Sequence, residues 1–260
     1  MKNNSFCVCP LASGSKGNSL FVSCDNTSIL IDAGLSGIEI QRRLNAVELE
    51  PESLDAIIIT HEHSDHVKGA GILHRRYNIP VYITKKTWQA CSNLGEIEDL
   101  QFFECGKSFK INQILINPFS ISHDAMDPVG LTLEYENYKL GVATDLGIAT
   151  NLVKDYLKNS NILYLESNHD PEMLINGSYP WHLKQRIKGR TGHLSNIDAK
   201  NLIKELKIDN LEHIILAHLS EENNCPKKAV AEVAKGLNGS DITLHVAKPD
   251  KPGKFIKLLR

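Results

Sequence analysis

The sequence predicts a single α/β domain in which helices cover the faces of β-sheets. Short apolar segments with strand character alternate with amphipathic helical segments along the whole chain, which is the pattern of α/β folds. The 260 residues contain no low-complexity stretch and no linker long enough to separate two domains. We therefore expect one domain over residues 1–260, without a large inserted domain.

The composition is typical of a globular protein. Hydrophobic residues make up 42%, charged residues 23%, and the formal net charge is −2, which excludes a disordered chain and a polycationic nucleic-acid coat. The longest apolar runs have four residues, against the ~20 needed to cross a bilayer. The apolar start, residues 6–12, is too short and too interrupted for a secretory signal. We expect a cytoplasmic protein with no membrane partner.

The six cysteines include no C-x-x-C pair. Neither a disulfide framework nor a four-cysteine zinc site is indicated, and most of the thiols are expected in the core.

Strands in the first half are predicted from short apolar runs bounded by turn residues. They cover residues 6–11, 20–23, 28–31, 55–60, 81–84, 113–122, 129–136 and 138–144. Two helices are expected between them. One begins at a capping box formed by Ser36 and Glu39 and has an apolar face that extends to Val47; the other covers residues 67–77.

The second half is predicted to alternate strands with helices. Strands are expected over residues 162–166 and 213–217, with a helix over 196–206 between them. A last helix begins with Pro226 in its first turn and has an apolar face that extends to Leu237.

The segment His61 to His66 reads HEHSDH and directly follows a buried apolar strand. Three imidazoles and two carboxylates this close together need a cation to offset the cost of their desolvation. In α/β folds, binding sites also lie at the ends of strands. His61 and His63 project to one side of an extended segment, whereas Asp65 and His66 turn away as a helix begins. Two metals with separate ligand sets are the natural interpretation. The alternative is a solvated loop in which Asp65 caps the helix.

Two metals need more ligands than this segment supplies. His123, Asp145 and His218 each stand where an apolar strand stops. Taken singly, each is better explained as a loop histidine or a capping aspartate. Together with the HEHSDH segment they predict the rest of a ligand set.

The pattern H-x-H-x-D-H, followed by a lone His, a lone Asp and a strand-end His, resembles the metallo-β-lactamase fold. The segments SGSKGNS (13–19), GHLSN (192–196) and HLSEENN (218–224) are similar to the bacterial YycJ/WalJ/VicX group of nucleases. The resemblance implies a four-layer αββα sandwich of two mixed β-sheets with a dinuclear site at one edge. The ligands it implies are His61, His63 and His123 for one metal, Asp65, His66 and His218 for the other, and Asp145 as the bridge.

The resemblance also implies a dinuclear-metal-dependent phosphodiesterase, foremost a DNA exonuclease in which a metal-bridging hydroxide attacks phosphorus. The alternatives are a small-molecule hydrolase acting on a cyclic nucleotide, a phosphonate or a thioester, and a non-catalytic metal-bound signalling module. Zinc suits the histidine-rich set, while Asp65 and Asp145 keep Mn²⁺ and Fe²⁺ as alternatives. The expected partner is a nucleic acid, DNA in the first place; the sequence does not determine the oligomeric state.

His193 resembles the proton-donating histidine of tRNA-processing nucleases in this superfamily. A histidine can protonate a leaving oxygen near neutral pH, and in those nucleases a carboxylate orients it. The matching segment here departs from their pattern and offers both Glu166 and Asp170. The catalytic candidates are Asp65, His193 and Glu166.

Substrate contacts are expected from the loop 13–19, whose amides and hydroxyls can hold an anion, although a plain hairpin turn explains it equally well. Its candidates are Ser15, Lys16 and Asn18.

A basic stretch from Lys184 to Arg190 precedes His193, where cations would hold a phosphate backbone. Its candidates are Arg186 and Arg190. A second basic stretch runs from Lys248 to Arg260, and runs of this kind are usually solvated faces.

Overall fold

A computed structural model describes residues 5–92, 94–237 and 239–259. The strands are β1 (Ser5–Ala12), β2 (Ser19–Cys24), β3 (Thr27–Ile31), β4 (Ala56–Ile58), β5 (Val81–Thr84), β6 (Leu100–Phe103), β7 (Phe109–Ile111), β8 (Ile114–Ser120), β9 (Val129–Tyr135), β10 (Tyr138–Ala143), β11 (Ile162–Glu166), β12 (His213–Ala217), β13 (Thr243–Val246) and β14 (Ile256–Leu259). The helices are α1 (Gly37–Asn45), α2 (Ser64–Val67), α3 (Ala70–Tyr77), α4 (Lys85–Ala90), α5 (Asn151–Leu157), α6 (Pro171–Asn176), α7 (Trp181–Lys188), α8 (Asn196–Glu205) and α9 (Pro226–Ala234), with a 3-10 turn at Pro51–Ser53.

The strands form two mixed seven-stranded sheets. The first has the order β14-β1-β2-β3-β4-β5-β6 and the second the order β13-β12-β11-β10-β9-β8-β7. In the first sheet β3 to β6 are parallel, and in the second β10 to β13 are parallel, while the remaining pairs are antiparallel. The parallel strands β4 and β12 both lead into histidines at the edge that holds the site described below.

Alternate residues of the central strands face different layers. In β12, Ile215 and Ala217 pack between the two sheets, whereas Ile214 and Leu216 pack against α8 and α9. In the first sheet the outward face, including Leu30, packs against α1 and α3. Because both faces are buried, these strands are nearly continuous apolar runs. The predicted αββα sandwich of two mixed sheets is confirmed.

The first helix is shorter than predicted. α1 ends at Asn45, so Val47 lies beyond it. Ser36 accepts a hydrogen bond from the Glu39 amide at 3.3 Å. The Glu39 carboxylate accepts hydrogen bonds from two arginines of the same helix instead of returning one to the cap. The predicted capping box is therefore only half formed.

Of the predicted helix 67–77, residues 70–77 form α3, whereas Val67 is the last residue of α2 and Gly69 lies between the two helices. A Cβ at Gly69 would lie 2.4 Å from the carbonyl oxygen of Leu35, so this close approach needs glycine. Two predicted strands are shorter than expected: residues 113–122 form only β8, and residues 55–60 form only β4.

Several short elements were not predicted, namely the edge strands β6, β7, β13 and β14 and the helices α4 to α7. Edge strands and surface helices bury few side chains, which weakens the apolar periodicity that identifies an element. α7 is the extreme case, because it has no buried residue.

Cys7, Cys9 and Cys24 are free thiols buried in the core, while the other three cysteines are half-buried, so half of the thiols and not most of them lie in the core. Burial raises the pKa of Cys9 to about 12. None of the helices in the described residues combines the length and apolar character needed to span a bilayer.

The packing between the sheets predicts a large cost for removing Phe6. This ring is fully buried between the sheets and lies 6.0 Å from the ring of Tyr138. Phe6→Ala should lower the free energy of unfolding by about 3–5 kcal/mol, because it leaves a cavity. Urea unfolding followed by circular dichroism measures this.

Phe102→Ala is the matched control, since that ring on edge strand β6 is 53% exposed. It should cost less than about 1 kcal/mol. Similar losses for both variants would contradict the layer assignment.

Candidate active site

Histidine and aspartate side chains meet where strands of both sheets end. His61 follows β4 in the first sheet, while Asp145 and His218 follow β10 and β12 in the second. His66 lies in α2, and His123 follows β8. All five side chains are buried. Packing of the two sheets thus brings residues distant in sequence to one edge of the sandwich.

One candidate ligand set consists of His61, His63 and His123. Their candidate ligand atoms all lie within 4.8 Å of one another. Nδ1 of His63 is 3.3 Å from Nε2 of His123, and the ring centroids of His61 and His63 are 4.7 Å apart. These three residues are the set predicted for one metal.

A second candidate set consists of Asp65, His66 and His218, again with ligand atoms within 4.8 Å. Oδ2 of Asp65 lies 3.5 Å from Nε2 of His66 and 3.6 Å from Nε2 of His218. This is the set predicted for the other metal.

The Asp145 carboxylate lies between the two sets. Oδ2 is 3.3 Å from Nε2 of His66, and Oδ1 is 3.4 Å from Nε2 of His218 and 3.9 Å from Nε2 of His123. Asp145 and His218 have φ angles of 56° and 53°, in the left-handed region that non-glycine residues rarely adopt. Strain of this kind persists where surrounding structure enforces it and clusters at functional sites. The position of Asp145 is that of the predicted bridge.

The side chains fit a site for divalent cations. Among the described residues, Nε2 of His61, Oδ2 of Asp145 and Nε2 of His218 are buried without a hydrogen-bond partner. Burial alone would lower the pKa of His66 and His218. The carboxylates around them, Asp32 and Asp145 at His66 and Asp145 foremost at His218, raise both pKa values well above the ordinary range. Several carboxylates buried close together favour the binding of a positive charge. Imidazole nitrogens and carboxylate oxygens are ligands that zinc accepts.

Asp32 supports the site but is not among the residues predicted from the sequence. It accepts a hydrogen bond from Nδ1 of His66 at 2.7 Å and further bonds from the amide and hydroxyl of Thr60, each at 2.9 Å. A carboxylate on the distal nitrogen of a histidine fixes its tautomer and ring orientation. The available signal was an aspartate directly after an apolar strand, β3, the same pattern that identified Asp145.

Asn18, predicted to contact substrate, lies behind the ligands. It is buried, accepts a hydrogen bond from the Gly14 amide at 2.9 Å and donates one to Oδ2 of Asp65 at 3.1 Å. Its amide nitrogen is also 3.0 Å from Nε2 of His66. The structure therefore places the side chain of Asn18 against two candidate ligands, Asp65 and His66.

A cavity of about 310 Å³ opens above the ligand sets. Ser15 lines it, as does Arg186, whose guanidinium forms an ion pair with Asp124 at 2.7 Å. Lys16 is exposed and paired with Glu221 at 2.6 Å, away from the lining. Arg190 lines a different cavity beside α8. The structure thus brings Ser15 and Arg186 to the site, but neither Lys16 nor Arg190.

His193 lies on the wall of the cavity and is held by Glu166. Oε1 of Glu166 accepts a hydrogen bond from Nδ1 of His193 at 2.8 Å, and Oε2 accepts hydrogen bonds from the amides of Leu146 and Leu194. Asp170 instead caps α6. Glu166 is therefore the supporting carboxylate, a choice that the sequence left open.

The two members of the pair shift each other's pKa in opposite directions. Burial would lower the pKa of His193, but Glu166 raises it above the ordinary value. Burial would raise the pKa of Glu166, but His193 and His218 lower it to about 2. Candidate ligand atoms of His193, Glu166, Asp145 and His218 also lie within 4.8 Å of one another. Proton donor and ligand are thus the two roles open to His193.

The two-sheet sandwich and the histidine and aspartate sets at its edge define a metal-dependent hydrolase with the metallo-β-lactamase fold. The model of the beta-lactamase superfamily domain matches residues 27–218. The chain belongs to this superfamily, and within it to the family that contains the following bacterial relatives.

The exodeoxyribonuclease YycJ of Bacillus anthracis is 40% identical over 254 residues, which cover 94% of this chain and 96% of the relative. The exodeoxyribonuclease WalJ of Streptococcus pneumoniae is 39% identical over 241 residues, covering 91% and 90%. Among solved structures, the metallo-beta-lactamase fold protein YhfI from Bacillus subtilis matches with a TM-score of 0.75 at 16% identity, covering 98% of this chain and 99% of that one. That structure supports the fold alone.

The role of Asp32 behind His66 predicts that Asp32→Asn weakens metal binding. Asparagine tolerates the left-handed backbone at this position, where φ is 60°, so the chain should still fold. Loss of the carboxylate should reduce metal affinity by roughly 10- to 100-fold. Competition with a chromophoric chelator measures this affinity.

Asp209→Asn is the control, because Asp209 is exposed and its one ion pair among the described residues is with Lys207 at 3.4 Å. It should bind metal as the unmodified chain does. Equal affinities for both variants would refute the role given to Asp32.

Proposed function

We propose that this chain is a metal-dependent exodeoxyribonuclease that hydrolyses DNA phosphodiester bonds. The observation that carries the proposal is one cavity lined by members of both ligand sets, by Asp145 between them and by His193, whose Nδ1 donates to Glu166. The names of the relatives at 40% and 39% identity support DNA as the substrate and cleavage from an end. The proposed cofactor is two divalent ions, zinc in the first place and Mn²⁺ or Fe²⁺ as alternatives.

The proposed metal ligands are the seven histidine and aspartate side chains predicted from the sequence: His61, His63, His123, Asp65, His66, His218 and Asp145. Divalent ions bound there would act as Lewis acids on the phosphate and make water nucleophilic near neutral pH. Asp32 and Asn18 hold His66 and Asp65 in place, so that the ligand nitrogens and oxygens need little rearrangement.

The proton for the leaving oxygen is assigned to His193. Because Nδ1 donates to Glu166, the other ring nitrogen, Nε2, is available to carry a proton toward the cavity. The leaving oxygen of a DNA phosphodiester is a poor leaving group unless it is protonated, and a positioned histidine supplies that proton. Ser15 and Arg186 lie where they can contact the phosphate oxygens.

A DNA substrate fits the predicted cytoplasmic location. The free thiols among the described residues are consistent with a reducing compartment.

A substrate panel tests the proposed activity. End-labelled single- and double-stranded DNA and RNA are incubated beside bis(p-nitrophenyl) phosphate and a thioester, before and after treatment with a chelator. We expect DNA to be shortened from an end, activity to disappear with the chelator and return with added metal, and His63→Ala to be inactive. Turnover of the thioester alone, or of small phosphate esters without DNA, would replace the nuclease by a small-molecule hydrolase.

His193→Ala should separate the proton donor from the metal ligands. We expect this variant to keep its metals and its KM for DNA while kcat falls by about 10² to 10⁴, the usual contribution of general acid catalysis. The loss should be much smaller on bis(p-nitrophenyl) phosphate, because p-nitrophenolate leaves without protonation. Steady-state kinetics and elemental analysis give both readouts.

His218→Ala is the comparison, since a ligand variant should lose metal. Loss of metal from His193→Ala, or equal losses on both substrates, would make His193 a ligand and not the acid.

A further inference from the structure

The segment between β13 and β14, residues 247–255, connects the second sheet to the first. We call it the lysine loop, because its sequence AKPDKPGKF contains Lys248, Lys251 and Lys254. The backbone amide of Ser13 donates to the carbonyl of Lys248 at 3.1 Å, and the hydroxyl of Ser13 accepts from the amide of His218 at 2.7 Å. The lysine loop is therefore separated from a proposed metal ligand by a single residue.

The side chains of these lysines are exposed, and none of them has an ion-pair or hydrogen-bond partner within the described residues. Asp250, the one carboxylate of the loop, is not paired with them either. Neighbouring ammonium groups that are not paired with carboxylates create a local positive potential.

Two cations of the basic stretch near His193, Lys184 and Arg186, differ in this respect. The ammonium of Lys184 donates to the carbonyls of Ile175 and Gly177, each at 2.7 Å, and Arg186 is paired with Asp124. These two groups already have partners, so binding a phosphate there would require breaking existing contacts.

The backbone of the lysine loop is anchored at several points. The amide of Gly253 donates to the carbonyl of Pro10 at 2.8 Å, and the ring of Phe255 packs edge-on against Phe21 with centroids 6.1 Å apart. The backbone that carries the lysines is therefore held in place, and binding an anion would cost the ordering of the lysine side chains but not of the loop.

The lysines also line a concave surface. A cavity of about 410 Å³ at the open edge of the sandwich is bordered by all three of them, together with His245. The turn 13–17 lies between this cavity and the catalytic one, which Ser15 of the same turn lines. A polyanion bound to both the catalytic cavity and the lysine loop would therefore cross this turn.

We propose that the lysine loop binds backbone phosphates of the DNA strand at a distance from the bond that is cut. This inference rests on the proposed exodeoxyribonuclease function and adds to it a second contact surface, which acts on long substrates only. Contacts between lysine and phosphate oxygens carry no sequence information, so the surface should contribute affinity and salt dependence without base preference. Arg260, the last residue of the basic stretch predicted from the sequence, lies outside the described residues.

The test compares two double variants of equal charge change. Lys251→Gln with Lys254→Gln removes two cations of the loop. Lys110→Gln with Lys204→Gln removes two exposed lysines on β7 and α8 that also have no partner in the described residues. Binding of a fluorescein-labelled, phosphorothioate-protected DNA duplex is measured by anisotropy at several salt concentrations, beside hydrolysis of duplex DNA and of bis(p-nitrophenyl) phosphate.

The loop variant should bind the duplex roughly 10- to 100-fold more weakly at low salt, and its slope of log affinity against log salt should fall by about 2. The control variant should match the unmodified chain. Both should hydrolyse bis(p-nitrophenyl) phosphate at the normal rate, because that ester is too small to reach the loop.

The outcomes separate the two proposals. If the unmodified chain degrades DNA and the loop variant binds it as the control does, the lysine loop proposal is wrong and the nuclease proposal stands. If the chain binds the duplex through the loop without cleaving DNA, the nuclease proposal fails and backbone binding remains. Absence of both DNA binding and DNA cleavage overturns both proposals, and a preference for duplex RNA with the same lysine dependence overturns the assignment to DNA.

Discussion

The carboxylate of Asp145 lies between the two candidate ligand sets, within 3.9 Å of imidazole nitrogens from both. It is 2% exposed and lies within 3.4 Å of imidazole nitrogens of His66 and His218. A buried carboxylate is tolerable only when positive charge or hydrogen-bond donors surround it. The histidine-rich edge of the sandwich satisfies this condition, and a bound cation would satisfy it further. The left-handed backbone at Asp145 and His218 is the conformational cost of aiming both side chains at one point.

Two further buried carboxylates, Asp32 and Glu166, hold histidines of the site in position. Asp32 holds His66, so it acts on the ligands. Glu166 lies 2.8 Å from His193 and 3.3 Å from Nδ1 of His218, so one carboxylate orients both the proposed acid and a proposed ligand. This shared contact couples the position of the proton donor to that of the metal site. Both carboxylates stand at or just after strands of the buried sheets, where the backbone is held by neighbours on either side.

Charge pairing decides which basic residues are available to a polyanion. Arg186 lines the catalytic cavity, but its guanidinium is engaged by Asp124, which also lies 3.6 Å from Nε2 of His123. Arg186 could bind a substrate phosphate only by giving up its contact with Asp124. The lysine loop carries no such cost, which makes it the more accessible source of positive potential. Closeness to His193 in the sequence therefore does not determine which cations are available to bind phosphate. Their pairing with neighbouring carboxylates does.

The sequence by itself determined the parts of this protein that depend on local pattern. Buried strands appear as apolar runs because both of their faces are covered, and the HEHSDH segment stands out because charged groups at such density require a cation. These motifs, together with the family resemblance based on them, predicted the sandwich fold and the members of both ligand sets. Only the tertiary structure decided which carboxylate supports His193, that Asp32 holds His66, and that Asn18 lies behind the site. Those contacts join residues far apart in the chain, as Glu166 and His193 do across 27 positions. Their distances are set by how strands and loops pack, which no periodicity along the sequence encodes.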